Sequence, residues 1–273
     1  MLVATNCRDD IGRNVAQLRE QEGVDLEAVV VDNASSDGTR EFLEQQPDLL
    51  LIANAENKWV SAARMQGVAA TRAPYILFFA PDTSLPPDTV LRLKECLDGD
   101  ESVALAGPRM FGERGHDMTN GQFAYPTVKF VVTDALGLRR RFGRERLPVA
   151  QTAEAVARFE ETGPRDVPFV NGSCMLMRRS ALEAIGGLDE RFLFDFEEVD
   201  VARRLYKAGY RVQLVPKTAI MHRGKGTPLR KGLRAEIFMQ SERLYFTKHH
   251  GKAARAAVRA ARGLQRVLQR AAG

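Results

Sequence analysis

The sequence predicts an α/β chain: a mostly parallel sheet flanked by helices, followed by a C-terminal helical tail. Three observations carry that expectation. The first hundred residues alternate short apolar runs with segments of helical spacing, the order that builds βαβ units with right-handed crossovers. The runs Val29–Val31 and Tyr75–Phe79 have no polar face, as in strands buried on both sides. Several runs stop at an acid or a turn, and in an open α/β sheet ligands bind where strands end.

Leu2–Ala4 begins the first strand. Asp9 or Asp10 can cap a helix in which Ile11, Val15 and Leu18 recur at helical spacing. Ala28–Val31 is the second strand and ends on Asp32. Ser35, Ser36 and Asp37 then offer short polar caps to the helix carrying Phe42 and Leu43. Leu49–Ile52 is a third strand, Val60–Thr71 an alanine-rich helix, and Tyr75–Phe79 a strand stopped by Pro81. Val90, Leu91 and Leu93 mark a helix, and Val103–Ala106 a further strand. Periodicity blurs from Phe111 to Pro168, where Arg139, Arg140, Arg141, Arg144 and Arg146 cluster; such a segment shapes a site with loops or is a solvated insertion. Order returns with a strand over Ser173–Met177 and a helix over Ser180–Ile185 closed by Gly186-Gly187. A helix follows over Glu197–Ala208, then two short strands, Val212–Val215 and Ala219–Met221, around Pro216. Beyond Ser241 the chain is helical and basic. The organisation is read as a globular domain over 1–240, halved into 1–108 and 109–240, and a tail over 241–273.

Composition narrows the class. Hydrophobic residues make up 44% and charged residues 27%, the balance of a soluble globular protein. No apolar run is long enough to span a membrane. Met1–Asn6 is short and uncharged, unlike a signal peptide. Cys7, Cys96 and Cys174 have no metal-ligand spacing and fit reduced core thiols of a cytoplasmic protein. The net charge of +5 is mild, and the arginines lack the interleaved aromatics of a nucleic-acid surface, so no nucleic acid is expected as partner.

Four polar features follow strands or open helices: Asp32, Asp82, the acids Glu197, Glu198 and Asp200, and His222. Asp82 and His222 are a sensible pair for a divalent ion, through carboxylate oxygen and imidazole nitrogen. The three acids either face the positive end of a helix or follow the run Phe192–Phe196 into apolar surroundings. There a carboxyl rises toward the range of a general base.

Together these residues resemble family 2 glycosyltransferases, and most of all their bacterial rhamnosyltransferase-related branch. The resemblance runs from Leu2 to about Gly251. Its pieces are Val31–Thr39 (VDNASSDGT), Asn57 through Ala63-Arg64 to Gly67, Pro81-Asp82-Thr83, Asn171–Arg179, Gly186–Glu190, Glu197–Asp200 and His222. It implies a GT-A, Rossmann-like fold and an inverting enzyme that transfers sugar from a nucleotide diphosphate sugar to a saccharide or lipid-linked acceptor in cell-surface polysaccharide synthesis. It also implies roles. Thr5, Asn6, Asp32 and Arg64 would border the nucleotide, and Asp82 and His222 would hold Mg²⁺ or Mn²⁺ against the diphosphate. Asn171 and Gly172 would border sugar and acceptor, and Glu198 would be the base, with Asp200 beside it in the acid cluster. Three positions depart from the pattern: Ala80 where Asp or Asn is frequent, Met65 where Asn follows the arginine, and Trp59 where glycine is common. Ala80 and Met65 favour the alternative of a non-catalytic nucleotide-sugar-binding or scaffold protein of the same fold. In the tail, Arg255, Arg259, Arg262, Arg266 and Arg270 form one helical stripe. It either meets an anionic membrane surface, making the protein peripheral at the inner face of the cell membrane, or belongs to a solvated helix packed on the core.

Overall fold

The computed structural model describes residues 1–115, 118, 125–136, 163–224 and 231–271. The arginine cluster at Arg139–Arg146 lies outside them. Strands β1 (Leu2–Ala4), β2 (Val29–Asn33), β3 (Leu50–Asn54) and β4 (Tyr75–Phe79) alternate with α1 (Arg8–Arg19), α2 (Thr39–Glu44) and α3 (Trp59–Ala69). Then come α4 (Thr89–Asp98), β5 (Val103–Gly112), α5 (Val128–Ala135), β6 (Arg165–Asp166) and β7 (Cys174–Arg178). The rest is α6 (Arg179–Ala184), α7 (Glu197–Lys207), β8 (Arg211–His222) and α8 (Lys231–Ala271). α8 is broken at Gly251, whose φ of 84° only glycine adopts without cost.

The described strands form one sheet in the order β3-β2-β1-β4-β7-β5-β8-β6. β1 to β4 pair in parallel, as the βαβ reading requires. β7 enters antiparallel between β4 and β5, while β8 runs parallel to β5. β5 and β8 therefore point the same way as β4. The C-terminal ends of β1, β2, β4 and β8 thus share one rim with the N-terminal end of β7.

Both faces of the sheet are covered, which explains the unbroken apolar runs. Phe78 packs on one face with Met175, Phe192, Leu205 and Tyr245. Its neighbours Leu77 and Phe79 pack on the other with Leu2, Val30, Ile11 and Leu93.

Several boundaries differ from expectation. The two strands expected around Pro216 are one, β8. Its pairing with β5 jumps from Pro108↔Val215 to Arg109↔Ala219, so Pro216, Lys217 and Thr218 form an irregularity that absorbs a residue with no N–H for the ladder. Asp9 and Asp10 fall in the first turn of α1 rather than at its cap, which is Cys7. Gly38, with φ 90°, caps α2, while Asp37 Oδ1 accepts a 3.1 Å bond from the Thr39 N–H.

Candidate active site

The strand rim opens into a cavity of about 200 Å³. Thr5, Arg64, Asp82, Asn171, Gly172, Glu198 and His222, all expected at the site, line it. β1 delivers Thr5, the turn after β4 delivers Asp82, the turn before β7 delivers Asn171 and Gly172, and β8 ends on His222. Asp82 and His222, 140 residues apart in the chain, meet: His222 Nε2 lies 3.2 Å from Asp82 Oδ1 and 3.2 Å from Ser173 Oγ. The Arg223 N–H donates to the Asp82 carbonyl at 2.9 Å, and the Arg223 side chain pairs with Asp10, which pins the end of β8 to α1.

The opposite wall is acidic. Asp195, Glu197 and Glu198 all line the cavity. Arg64 neutralises one of them. Its NH1 donates to Glu197 Oε1 at 3.0 Å, its NH2 to the Gly172 carbonyl at 2.6 Å, and the guanidinium lies 5.1 Å from the Phe78 ring centroid. Gly172 lies close against this group: a Cβ there would stand 3.2 Å from Glu197 Oε1, so the Glu197 carboxylate would have to give slightly. Among the described residues Glu198 makes no ion pair, Arg64 attracting it only as the least of the influences on it, and its Oε2 is shielded from solvent with no hydrogen-bond partner. Burial, then the charges of Glu197 and Asp195, push its carboxyl well above the usual carboxylate range. Burial and then Glu197 likewise raise Asp195 to about 6, against the pull of Arg234. Sequence reasoning gave Asp195 no role. Its signal was an acid set between Phe194 and Phe196.

Three expected site residues stand elsewhere. Asp200, placed in the catalytic cluster, is fully buried behind α7 and faces α8. It accepts from Arg204 Nε at 2.8 Å, Lys248 Nζ at 3.0 Å and His249 Nε2 at 2.7 Å. Despite burial, the bonds from His249 and Lys248 hold its carboxyl below the ordinary range. The cause is helical spacing: residues 198 and 200 project about 200° apart. Asp32 does not line the cavity either. Its Oδ2 takes bonds from Arg40 (Nε at 2.9 Å) and the Ser35 N–H (3.3 Å), and its Oδ1 is buried and unpartnered. Asn6, with φ 46°, ties the rim together: its N–H donates to Ser35 Oγ at 2.9 Å and its Oδ1 accepts from the Ser36 N–H at 2.8 Å. Asp32 and Asn6 thus sit just behind the cavity wall, next to its lining residues Asn33, Thr5 and Cys7.

Backbone strain concentrates here. Among the described residues, the non-glycine positions with positive φ are Asn6, Ala34, Trp59, Asp195 and Phe196. Each lines the cavity or adjoins a residue that does. Such conformations cost about 1–3 kcal/mol each and cluster at functional sites. Met65 turns away from the cavity, and its Sδ accepts the Leu188 N–H at 3.3 Å beside the Gly186-Gly187 turn.

The arrangement combines a carboxylate–imidazole pair, the oxygen and nitrogen donors a divalent ion can take, with a half-buried carboxylate that makes no ion pair among the described residues. Phosphate oxygens and water would have to complete such an ion's shell. Among the described residues no cluster of three or more metal-ligating side chains occurs.

Comparison with known proteins agrees with this layout. The profile of Glycosyl transferase family 2 matches residues 1–186. The chain is 44% identical over 209 residues to the N-acetylglucosaminyl-diphospho-decaprenol L-rhamnosyltransferase of Mycobacterium tuberculosis (strain H37Rv). That match covers 72% of this chain and 66% of the relative, so the chain spans just under two thirds of the relative's length. Succinoglycan biosynthesis protein ExoO of Rhizobium meliloti is 35% identical over 126 residues, 41% of this chain and 36% of that protein. Among solved structures, mannosyltransferase PcManGT from Pyrobaculum calidifontis, in complex with GDP-Man and Mn²⁺, superposes with a TM-score of 0.61 at 18% identity. That alignment covers 99% of this chain and 73% of the other, and the shared fold is the GT-A arrangement. By profile, relatives and fold, the chain belongs to glycosyl transferase family 2.

Proposed function

We propose that the chain is a metal-dependent, inverting glycosyltransferase. It would move a sugar from a nucleotide diphosphate sugar to a saccharide or lipid-linked acceptor in cell-surface polysaccharide synthesis. The observation that carries the reading is a single cavity holding the Asp82–His222 pair on one wall and, on the other, Glu198, whose Oε2 has no hydrogen-bond partner. The name of the mycobacterial relative, which acts on a diphospho-decaprenol acceptor, supports a lipid-linked acceptor.

Glu198 takes the proton of the acceptor hydroxyl as it attacks, and a raised carboxyl is a stronger base than an ordinary one. With a single base the displacement is direct, so the anomeric configuration inverts. Asp82 and His222 would hold Mg²⁺ or Mn²⁺, which when bound neutralises charge on the departing diphosphate. Arg64 keeps Glu197 and the Gly172 carbonyl in place, so the sugar-binding wall does not collapse when the acids charge. Thr5, Asn6 and Asp32 form the nucleoside end beside Asn33, and the unpartnered Asp32 Oδ1 would accept a hydrogen bond from the nucleoside. Asn171 borders the sugar, and its Oδ1 accepts the Ser173 N–H at 2.8 Å, which fixes the turn. The C-terminal half of α8 meets an anionic membrane surface near the acceptor.

A donor screen tests the reading. Release of nucleoside diphosphate from UDP-, GDP- and dTDP-sugars is followed with membrane extract as acceptor, with Mn²⁺ or with EDTA. One donor should turn over, faster with Mn²⁺, and Asp82→Ala should abolish the gain from the metal. Nucleotide binding without turnover of any donor would instead establish the non-catalytic alternative.

A further inference from the structure

Trp59 is the chain's single tryptophan, and it occupies a backbone conformation that a bulky side chain avoids. Its φ is 64°, the left-handed region that glycine enters freely. Three hydrogen bonds impose it. The Trp59 N–H donates to Asn57 Oδ1 at 2.8 Å, Asn33 Nδ2 donates to the Trp59 carbonyl at 3.2 Å, and the Val60 N–H donates to the Leu193 carbonyl at 3.0 Å. Asn33 is itself fixed, because its Oδ1 accepts from Asn54 Nδ2 at 3.0 Å and the Lys58 N–H at 3.1 Å. Strain over-determined in this way marks function more often than packing. The core gives no reason for the ring: Trp59 belongs to neither apolar cluster, is half-buried, and lines the cavity.

We infer that the Trp59 indole is a stacking platform for the nucleobase of the donor, and that it sets affinity at that end of the cavity. The inference rests on the nucleotide-sugar reading above. A half-buried indole in a cavity wall offers a surface on which a planar base can stack. The groups fixed around it, Asn33, Asn57 and Val60, are neutral, as suits the uncharged edge of a base. Asp82 and His222, which would hold the metal ion that a diphosphate meets, lie at the ends of β4 and β8. Trp59 is tethered instead at the end of β2, and β1 separates β2 from β4 in the sheet.

The single tryptophan makes the test direct. Intrinsic fluorescence of the full chain is titrated in Mn²⁺ with UDP, dTDP, GDP and ADP, with the matching nucleoside monophosphates, and with inorganic pyrophosphate. Calorimetry and thermal melting are repeated on Trp59→Gly and Trp59→Phe. The expected result is saturable quenching by one nucleotide and its monophosphate, but not by pyrophosphate. Trp59→Gly should bind that nucleotide about tenfold more weakly, the scale of one lost stacking contact, yet melt higher, because the positive φ is relieved. Trp59→Phe should keep most of the affinity. Equal binding by wild type and Trp59→Gly overturns the platform and leaves the transferase reading standing. Loss of both affinity and melting temperature in Trp59→Gly overturns it too, since the ring is then a packing element. Failure of the wild type to bind any of the four nucleotides overturns both readings.

Discussion

At the scale of single residues, the acid cluster divides by environment. Glu198 faces the cavity with no ion pair among the described residues, while Asp200, two positions on, is enclosed by Arg204, Lys248 and His249. Glu198→Gln keeps size and polarity and removes the basic oxygen. It should lower turnover by about 10² to 10⁴ with nucleotide affinity intact. Stability should move the other way. A carboxyl raised in the folded state binds more protons there than in the unfolded chain. Stability is therefore lost as pH rises from the ordinary glutamate range through the raised value. Glu198→Gln escapes that loss, so it should melt above wild type at pH 8, with the gap closing near pH 4. Asp195 adds to the rise of Glu198, so Asp195→Asn should shift the rising limb of the turnover profile to lower pH. An inactive but folded Asp200→Asn beside an active Glu198→Gln would reverse the assignment of the base. Residue type and order marked the acids in the sequence. Which carboxylate faces the cavity depends on helical phase and on partners contributed by α8, far along the chain, and neither can be read from local spacing.

At the scale of elements, α8 is two functional pieces joined at Gly251. The first half meets α7 through Asp200, Lys248 and His249. Asp200→Asn should cost about 3 kcal/mol, as for other broken buried ion pairs, seen as a lower denaturation midpoint. Asp200 is held low in the folded state, so its contribution is present above the ordinary aspartate range and fades as pH falls below it. In the second half the expected arginine stripe is not uniform. Arg262 turns inward to Glu242 at 2.7 Å and Asp134 at 3.0 Å, and Val258 is fully buried, so this half is pinned to the core. Leu264, Val267 and Leu268 remain exposed, at 45%, 62% and 47%. Arg255, Arg259 and Arg266 are exposed as well. No helix among the described residues is long and apolar enough to cross a membrane. Co-sedimentation with anionic vesicles should be strong at low salt and fade as salt screens the arginines. Leu264→Gln with Leu268→Gln should weaken it without lowering the melting temperature, since neither side chain is buried. Sedimentation unchanged by these substitutions would leave the helix a structural strut. Apolar period and basic residues were legible here; the inward turn of Arg262 was not, because its partners lie 20 and 128 residues away.

For the whole molecule, the legible part was the order of strands and helices in the first hundred residues, where each unit packs against its neighbour in sequence. The rim was legible only as a list of strand ends. That they converge depends on β7 running antiparallel, which places Asn171–Ser173 beside Asp82 and aligns β5 and β8 with β4. Nothing in a five-residue apolar run distinguishes the two directions. That same insertion has a kinetic consequence. β1 to β4 can assemble from residues 1–79 alone, but β4 then keeps an open edge until Cys174–Arg178 arrives, nearly a hundred residues later. The open edge is Tyr75-Ile76-Leu77-Phe78-Phe79, an uncharged apolar strand of the kind that templates aggregation. Refolding yield from denaturant should therefore fall with protein concentration. Tyr75→Lys, a charge set on that edge, should raise the yield, while lowering folded stability because the Tyr75 hydroxyl donates to Asp98 and accepts from Arg178.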